Sequence, residues 1–261
     1  RCYWLKCYEI PDGDKNFKGR AIQNMLNIDP DDSVNALLRL RGLNDEEFVK
    51  SHYVVFATKN GTVKKTSLEA YSRPRTNGVN AINIVEGDEV VDVRLTNGKN
   101  EIILANRNGR AVRFDEDSIR TMGRVSTGVR GMKLDEGDDE VVGMIVVNNA
   151  ETETVMVVSE NGYGKRSQVE DYRKTNRGGK GVKTFSITEK TGRLVAIKNV
   201  TDDNDLMIIN KSGIAIRLAV SECRVMGRAT QGVRLINLSK KNDVIASVCK
   251  VMSSEKEADV E

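Results

Sequence analysis

The chain has 261 residues, 39% hydrophobic and only 5% aromatic, and its 41 Lys and Arg against 38 Asp and Glu leave a net charge of +3. No segment approaches the roughly 20 apolar residues of a membrane span, and the opening Cys-Tyr-Trp-Leu-Lys-Cys-Tyr is too short and interrupted for a signal peptide. Cys2, Cys7, Cys223 and Cys249 form no Cys-x-x-Cys pair, so the chain reads as a protein of a reducing cytoplasm, without a disulfide framework or metal site.

In chain order, Arg1–Tyr8 reads as a strand, and Gly19 precedes Arg20-Ala21-Ile22. Residues 41–51 read as a long surface connection, in which Asn44 before Asp45-Glu46-Glu47 is at best the cap of one helical turn. From Tyr53 onward the pattern is regular. Strand-like runs at Tyr53–Ala57, Glu101–Ala105, Val155–Val158 and Asp205–Ile209 each lead into a turn glycine: Gly61, Gly109, Gly162 and Gly213. Asn-Gly and Ser-Gly between apolar runs are hairpin signals, because type I′ and II′ turns need positive φ. These glycines lie 48, 53 and 51 residues apart, and each is followed 17 or 19 residues later by Gly-Val, at Gly78, Gly128, Gly181 and Gly232. A third strand such as Val182–Ile187 and a fourth (Val90–Leu95, Val141–Val147, Leu194–Val200, Val244–Val251) complete each unit.

Four short strands in about 50 residues is the size of a propeller blade. The predicted architecture is therefore all-β, with 1–52 a partial blade and connection, full blades at 53–99, 100–152, 153–203 and 204–252, and an acidic disordered tail at 253–261. The register places the turn glycine of the first unit just before Arg1, so the chain is read as a fragment that opens mid-repeat.

Charge is sorted within the repeat. From just after each turn glycine to two residues past the next Gly-Val glycine the net charges are +3 for Thr62–Asn80, +2 for Arg110–Arg130, +5 for Tyr163–Lys183 and +3 for Ile214–Arg234, whereas Glu86–Glu89 and Asp135–Glu140 are acidic. A circular array puts equivalent positions on one surface. A cation recurs four residues after each turn glycine, at Lys65, Arg113, Arg166 and Arg217, with Lys64 and Lys165 beside two of them. Further cations fill the following loops: Arg73 and Arg75; Arg120, Arg124 and Arg130; Arg173, Lys174, Arg177, Lys180 and Lys183; Arg224, Arg228 and Arg234. A curved band of cations matches duplex DNA, held through phosphates with little sequence information. In Arg177-Gly178-Gly179-Lys180-Gly181, backbone amides and two cations can approach a phosphate, although the Gly-Lys-Ser/Thr ending of a Walker A loop is missing.

No active site is read from the sequence. His52 is the only histidine, Tyr71 and Tyr172 sit at repeat positions that suit packing or the rim, and no cluster has metal-ligand or EF-hand spacing. A protein-binding propeller is the alternative from a different functional class.

The runs Tyr3-Trp4-Leu5-Lys6, Lys18-Gly19-Arg20-Ala21-Ile22, Asn60-Gly61-Thr62-Val63-Lys64-Lys65-Thr66, Thr127-Gly128-Val129-Arg130-Gly131 and Asn161-Gly162-Tyr163-Gly164-Lys165-Arg166 resemble the C-terminal domain of the bacterial DNA gyrase A subunit. The resemblance implies a six-bladed β-pinwheel, here an incomplete disc of about five blades, that wraps duplex DNA on its rim so that an ATP-dependent holoenzyme introduces negative supercoils. It also implies a nucleoid-associated cytoplasmic complex with the gyrase B subunit and the N-terminal part of the A subunit, as A2B2, with ATP, Mg and the catalytic tyrosine elsewhere. Residues 175–181 match that family's Gln-Arg-Arg-Gly-Gly-Lys-Gly box at five of seven positions, but by register in the fifth blade rather than the first. The same domain of the topoisomerase IV A subunit is the near alternative.

Overall fold

The computed structural model describes residues 1–253 other than 15, 16, 31, 41 and 239–242; the predicted acidic tail, apart from Ser253, lies outside the described residues. Helix α1 (Glu46–Ser51) is followed by β1 (Tyr53–Thr58), β2 (Thr62–Ser67), β3 (Val90–Thr96), β4 (Glu101–Asn106), β5 (Arg110–Asp115), β6 (Val129–Arg130), β7 (Val141–Val147) and β8 (Thr154–Ser159). Then come β9 (Tyr163–Gln168), β10 (Val182–Lys183), β11 (Leu194–Val200), β12 (Asn204–Asn210), β13 (Ala215–Ala219), β14 (Val233–Arg234) and β15 (Ile245–Met252).

The strands form four antiparallel sheets, in the orders β3-β1-β2-β6, β10-β5-β4-β7, β11-β8-β9-β14 and β13-β12-β15. The all-β propeller-like class holds, with two corrections. Among the described residues there are four sheets rather than about five, because residues 1–52 build none of their own. Cys2 makes only an isolated bridge to Val79, and Trp4, Leu38, Leu40, Leu43 and Phe48 pack against the first sheet's cluster of Val54, Phe56, Leu68 and Tyr71. Residues 46–51, expected to be loop, are helical, and the cap is Asp45, whose carboxylate accepts from the Phe48 N–H at 3.1 Å.

The second correction concerns the blades. A repeat does not supply all four strands of its sheet, so 53–99, 100–152 and 153–203 are not self-contained blades. Each two-residue third strand crosses to the preceding repeat: Val129 pairs with Val63, Val182 with Ala111 and Val233 with Gly164. The turn glycine of the receiving repeat then accepts two N–H groups from its neighbour. Gly61 O takes Gly131 and Met132 (2.8 and 3.1 Å), Gly109 O takes Thr184 and Phe185 (2.8 and 3.2 Å), and Gly162 O takes Leu235 and Ile236 (2.8 and 3.3 Å).

Glycine is required where the exchanged strand lands. Gly181 has φ 73°, and a Cβ there would lie 2.1 Å from Ala111 O. Gly128 and Gly232 meet Val63 O and Gly164 O in the same way, at 2.5 and 2.3 Å.

Cores therefore lie between blades. Met132 is buried with Val55, Val63, Ile102 and Leu104, and Phe185 with Ile103, Ala111, Val155 and Val157. At the hub, β3, β7, β11 and β15 pack in succession, and their first residues (Val90, Val141, Leu194, Ile245) line one polar cavity of about 500 Å³. Main-chain bonds run round it: Val141 N–H to Lys59 O (2.9 Å), Leu194 to Arg107 O (3.0 Å) and Ile245 to Glu160 O (2.8 Å).

Gly181→Ala should destabilise the chain by more than about 3 kcal/mol, since strain adds to a backbone clash. Gly87→Ala, with a similar φ of 77° and open space around it, should cost only about 1–2 kcal/mol. Urea denaturation of the two variants checks the difference, and equal losses would refute the landing role.

Candidate nucleic-acid interface

In the first three repeats the cation four residues after the turn glycine points into the structure, whereas Arg217 of the last is exposed. Nζ of Lys65 donates to Glu116 O (3.1 Å), Nη1 of Arg113 to Val169 O (2.9 Å) and Nη1 of Arg166 to Val220 O (2.8 Å). Each acceptor is the first residue of a one-turn 3₁₀ helix in the next repeat, at Glu116–Ser118, Val169–Asp171 and Val220–Glu222. Each of these carbonyls already closes its own turn, accepting from the N–H of Ile119, Tyr172 or Cys223 at 2.9–3.0 Å, and the long cationic donor from the neighbouring blade takes up its second lone pair.

Acidic or aromatic groups complete each latch. Arg113 pairs with Glu101 at 2.6 Å, Arg166 with Asp202 at 2.6 Å, and Lys65 sits over the Tyr53 ring. Arg217, in the last repeat, is paired with Asp205 (2.6 Å) and donates to Met252 O (2.7 Å).

Lys64 and Lys165 are also inside. Lys64, fully buried, donates to Ala81 O (2.5 Å) and Arg124 O (2.6 Å), and Lys165 to Gly227 O (2.7 Å). Desolvation lowers these ammonium groups, to about 8 for Lys64 and about 7 for Lys165. Lys64, Lys65, Arg113, Lys165 and Arg166 are therefore removed from the expected DNA contacts: they are buried and committed to backbone oxygens of neighbouring segments.

The loop cations divide. Arg177 donates to Ser118 O and Arg130 O, and Arg228, its equivalent one repeat later, to Asp171 O and Lys183 O; both clasp the preceding repeat. Lys174 bridges Glu101 and Asp115 (2.6 and 3.0 Å), Lys180 pairs with Asp135 (3.1 Å), and Arg124 is half-buried.

Two equivalent sets remain at the outer edge. Arg120, Arg173 and Arg224 are exposed and immediately precede Thr121, Lys174 and Val225, which bridge to β2, β5 and β9 of the preceding blade. Arg130, Lys183 and Arg234 are exposed at the ends of the exchanged strands β6, β10 and β14. Arg234 lies over the Tyr163 ring and donates to its hydroxyl at 2.9 Å. Arg73 and Arg75 are exposed in the first repeat's shorter loop.

Lys183 ranks with Arg130 and Arg234. Its signal is its place two residues after the strand's glycine. Acidic residues gather by the hub instead, where Glu140 pairs with Lys59 (3.0 Å) and Asp138 with Arg193 (2.7 Å). The charge sorting is real, and its outer component rests on the edge strands.

Tyr71 and Tyr172 are packing residues: both are buried, Tyr71 donates to Ala81 O, Tyr172 shares a hydrogen bond with Thr184, and burial pushes each phenol up to about 12. His52 closes α1 through its Nδ1, 2.9 Å from Phe48 O. Among the described residues no group of His, Cys, Asp and Glu could hold a metal ion, and no helix is long and apolar enough to cross a membrane.

Successive sheets that exchange an edge strand around a common hub define a propeller-like, pinwheel class of repeat domain. The family model described as "DNA gyrase C-terminal domain, beta-propeller" matches residues 52–97, 100–148, 153–201 and 204–249, and the chain belongs to that family. The DNA gyrase A subunit of Staphylococcus aureus strain MRSA252 is 43% identical over 251 residues, which is 96% of this chain but 28% of the relative. The chain thus spans somewhat over a quarter of the curated relatives it matches. The solved C-terminal domain of DNA topoisomerase IV superposes with a TM-score of 0.82 at 28% identity, covering 97% of this chain and 77% of that one. For the DNA gyrase A C-terminal domain the TM-score is 0.81 at 24% identity, covering 96% and 78%, a likeness of fold.

Two outcomes follow from the buried cations. Arg113→Met should cost about 3 kcal/mol of stability because it breaks a buried ion pair with Glu101 and removes the donor to the buried carbonyls of Val169 and Tyr172, whereas Arg120→Gln should fall within about 0.5 kcal/mol, as read by denaturant midpoints. Lys165 titrates near 7 when folded and near 10.5 when unfolded, so the unfolded chain binds more protons in that window and stability gains with rising pH, by at most about 1.4 kcal/mol per unit. Lys165→Met should lose that gain in unfolding curves taken between pH 7 and 10; an unaltered pH slope would contradict it.

Proposed function

We propose that this chain is the DNA-wrapping domain of a type IIA topoisomerase, a gyrase A subunit, binding duplex DNA without sequence readout. The observation that carries this reading is the recurrence of exposed cations at identical structural positions: Arg130, Lys183 and Arg234 on the exchanged strands, flanked by Arg120, Arg173 and Arg224. Arg73 and Arg75 extend the set, and Lys174, Lys180, Arg177, Arg228 and Arg217 serve chiefly to hold the edge in place.

Phosphates neutralised in series along this edge bend the duplex. Smooth bending of 20 to 30 base pairs by 40 to 90° costs roughly 1–6 kcal/mol, offset by the additional phosphate pairings that a bent duplex reaches. Membership of the gyrase C-terminal family supports the reading. In the parent protein, a wrapped segment would be presented to a cleavage gate so that ATP-driven passage introduces negative supercoils. The gyrase B subunit, the N-terminal part of the A subunit, and a cytoplasmic, nucleoid-associated A2B2 complex belong to that proposal.

The likeness to topoisomerase IV keeps its C-terminal domain as the second reading, with DNA bound but less wrapped. Ligation of nicked circles in the presence of the protein separates the two, since gyrase-type wrapping shifts linking number.

The triple variant Arg130→Gln, Lys183→Gln, Arg234→Gln should weaken duplex binding and reduce the slope of log affinity against log salt by about 2.7, at about 0.9 per phosphate. An unaltered slope in salt-titrated gel shifts would take the exchanged strands off the DNA path.

A further inference from the structure

The three loops that precede exchanged strands are built on one plan, with a single exception. Lys64 lies beneath the loop before β6 and Lys165 beneath the loop before β14, each ammonium donating to a loop carbonyl, at Arg124 (2.6 Å) and Gly227 (2.7 Å). The equivalent residue beneath the loop before β10 is Val112, one residue after Ala111 on β5, and it has nothing to donate. The outer loops also close a turn, Ser126 N–H to Gly123 O (3.2 Å) and Thr230 N–H to Gly227 O (3.3 Å). In the middle loop the counterpart, Gly179 N–H, has no acceptor among the described residues, and neither has the N–H of Lys180.

What the missing ammonium leaves is a cavity of about 440 Å³, lined by Val112, Arg113, Arg173, Arg177, Lys180 and the glycines of the loop, with four cations and no acidic residue in its wall. Gly178 needs its glycine for φ 81°, but Gly179 does not: a Cβ there would meet nothing nearer than Asn176 O at 3.8 Å. Its bare backbone leaves the N–H groups approachable. Arg113 and Arg177 are held by backbone oxygens, Lys180 pairs with Asp135, and Arg173 has no partner among the described residues.

We propose that this cavity is an oxyanion site that takes one phosphate group, with the N–H groups of Gly179 and Lys180 and the side chains of Arg173 and Lys180 as its donors. Successive amides on a glycine-rich turn make an anion-binding concavity, and cations in the wall disfavour a second cation where the sister loops keep their own. The group is supplied either by free phosphate or by a DNA phosphodiester; the second source rests on the function proposed above, and the site itself does not.

The test is an amide-resolved NMR titration of the full 261-residue chain, with inorganic phosphate in one arm and a short duplex in the other, at matched ionic strength. Saturable shifts confined to the Gly179 and Lys180 amides are expected with phosphate, without counterpart at Thr230 and Gln231 in the sister loop. Gly179→Ala, which fills the approach, and Val112→Lys, which rebuilds the sister plug, should each weaken phosphate by about tenfold, the scale of one charge-assisted hydrogen bond. If the duplex moves the same amides and phosphate competes, the source is DNA; if phosphate alone moves them, the source is free phosphate and the site stands. A duplex that binds the chain while neither ligand moves these amides overturns the site and spares the rim. Unchanged phosphate affinity in both variants also overturns it.

Discussion

The structure depends on a shared edge. A sheet of three strands would leave the outer side of its second strand with unpaired amides and carbonyls, an arrangement that invites pairing with other chains. Each repeat closes the preceding one with two residues of its own, and the turn glycine of the receiving repeat accepts two more N–H groups. Neighbours therefore depend on each other for main-chain hydrogen bonds as well as for apolar burial, since Met132, Phe185 and Ile236 sit in cores built from two repeats. Stability of this kind is a sum over nearest-neighbour interfaces.

Charge does two jobs, and position decides which. Beneath the loops and along the second strands, Lys65, Arg113 and Arg166 reach across to carbonyls of the next repeat's 3₁₀ turns and add a second donor there, and their side chains are long, flexible and multiple enough to span two blades. An apolar residue would fill the same volume but leave the two repeats without that hydrogen bond between them. At the outer edge the same residue types have no carbonyl to meet and stay in solvent. A formal net charge of +3 therefore conceals an interior stitched by cations as well as an edge furnished with them.

Much of the fold was legible. The first and fourth strands of each full repeat fall within a residue or two of where their apolar runs place them, as Glu101–Asn106, Val141–Val147 and Leu194–Val200 illustrate. The third strand was legible as a Gly-Val mark but not as an exchange, because a period in sequence says that a strand exists and not whose edge it joins. The site was legible in part. Recurrence of Lys65, Arg113, Arg166 and Arg217 correctly marked equivalent positions, but recurrence is demanded equally by a latch between repeats and by a surface track. A blade packed on both faces has no solvent side from which alternation could tell them apart, so adjacent Lys64 and Lys65 are both buried. Arg130 and Arg234 escape that ambiguity because they lie on edge strands, and Lys183 shares their register.

Strand exchange also bears on the proposed DNA track itself. Arg130 belongs to one repeat in sequence but stands opposite Thr62 in the sheet of the preceding one, and Lys183 and Arg234 stand likewise opposite Arg110 and Tyr163. The spacing between successive edge cations is thus set by main-chain pairing between blades rather than by loop conformation. A loop-borne arginine would have to be ordered when DNA arrived, at a cost of about 0.5–1.5 kcal/mol per immobilised side chain. Here backbone ladders fix the strand ends beforehand, and only the side-chain tips remain to be ordered. The pairing that joins neighbouring blades is therefore also what pre-arranges the surface offered to phosphate.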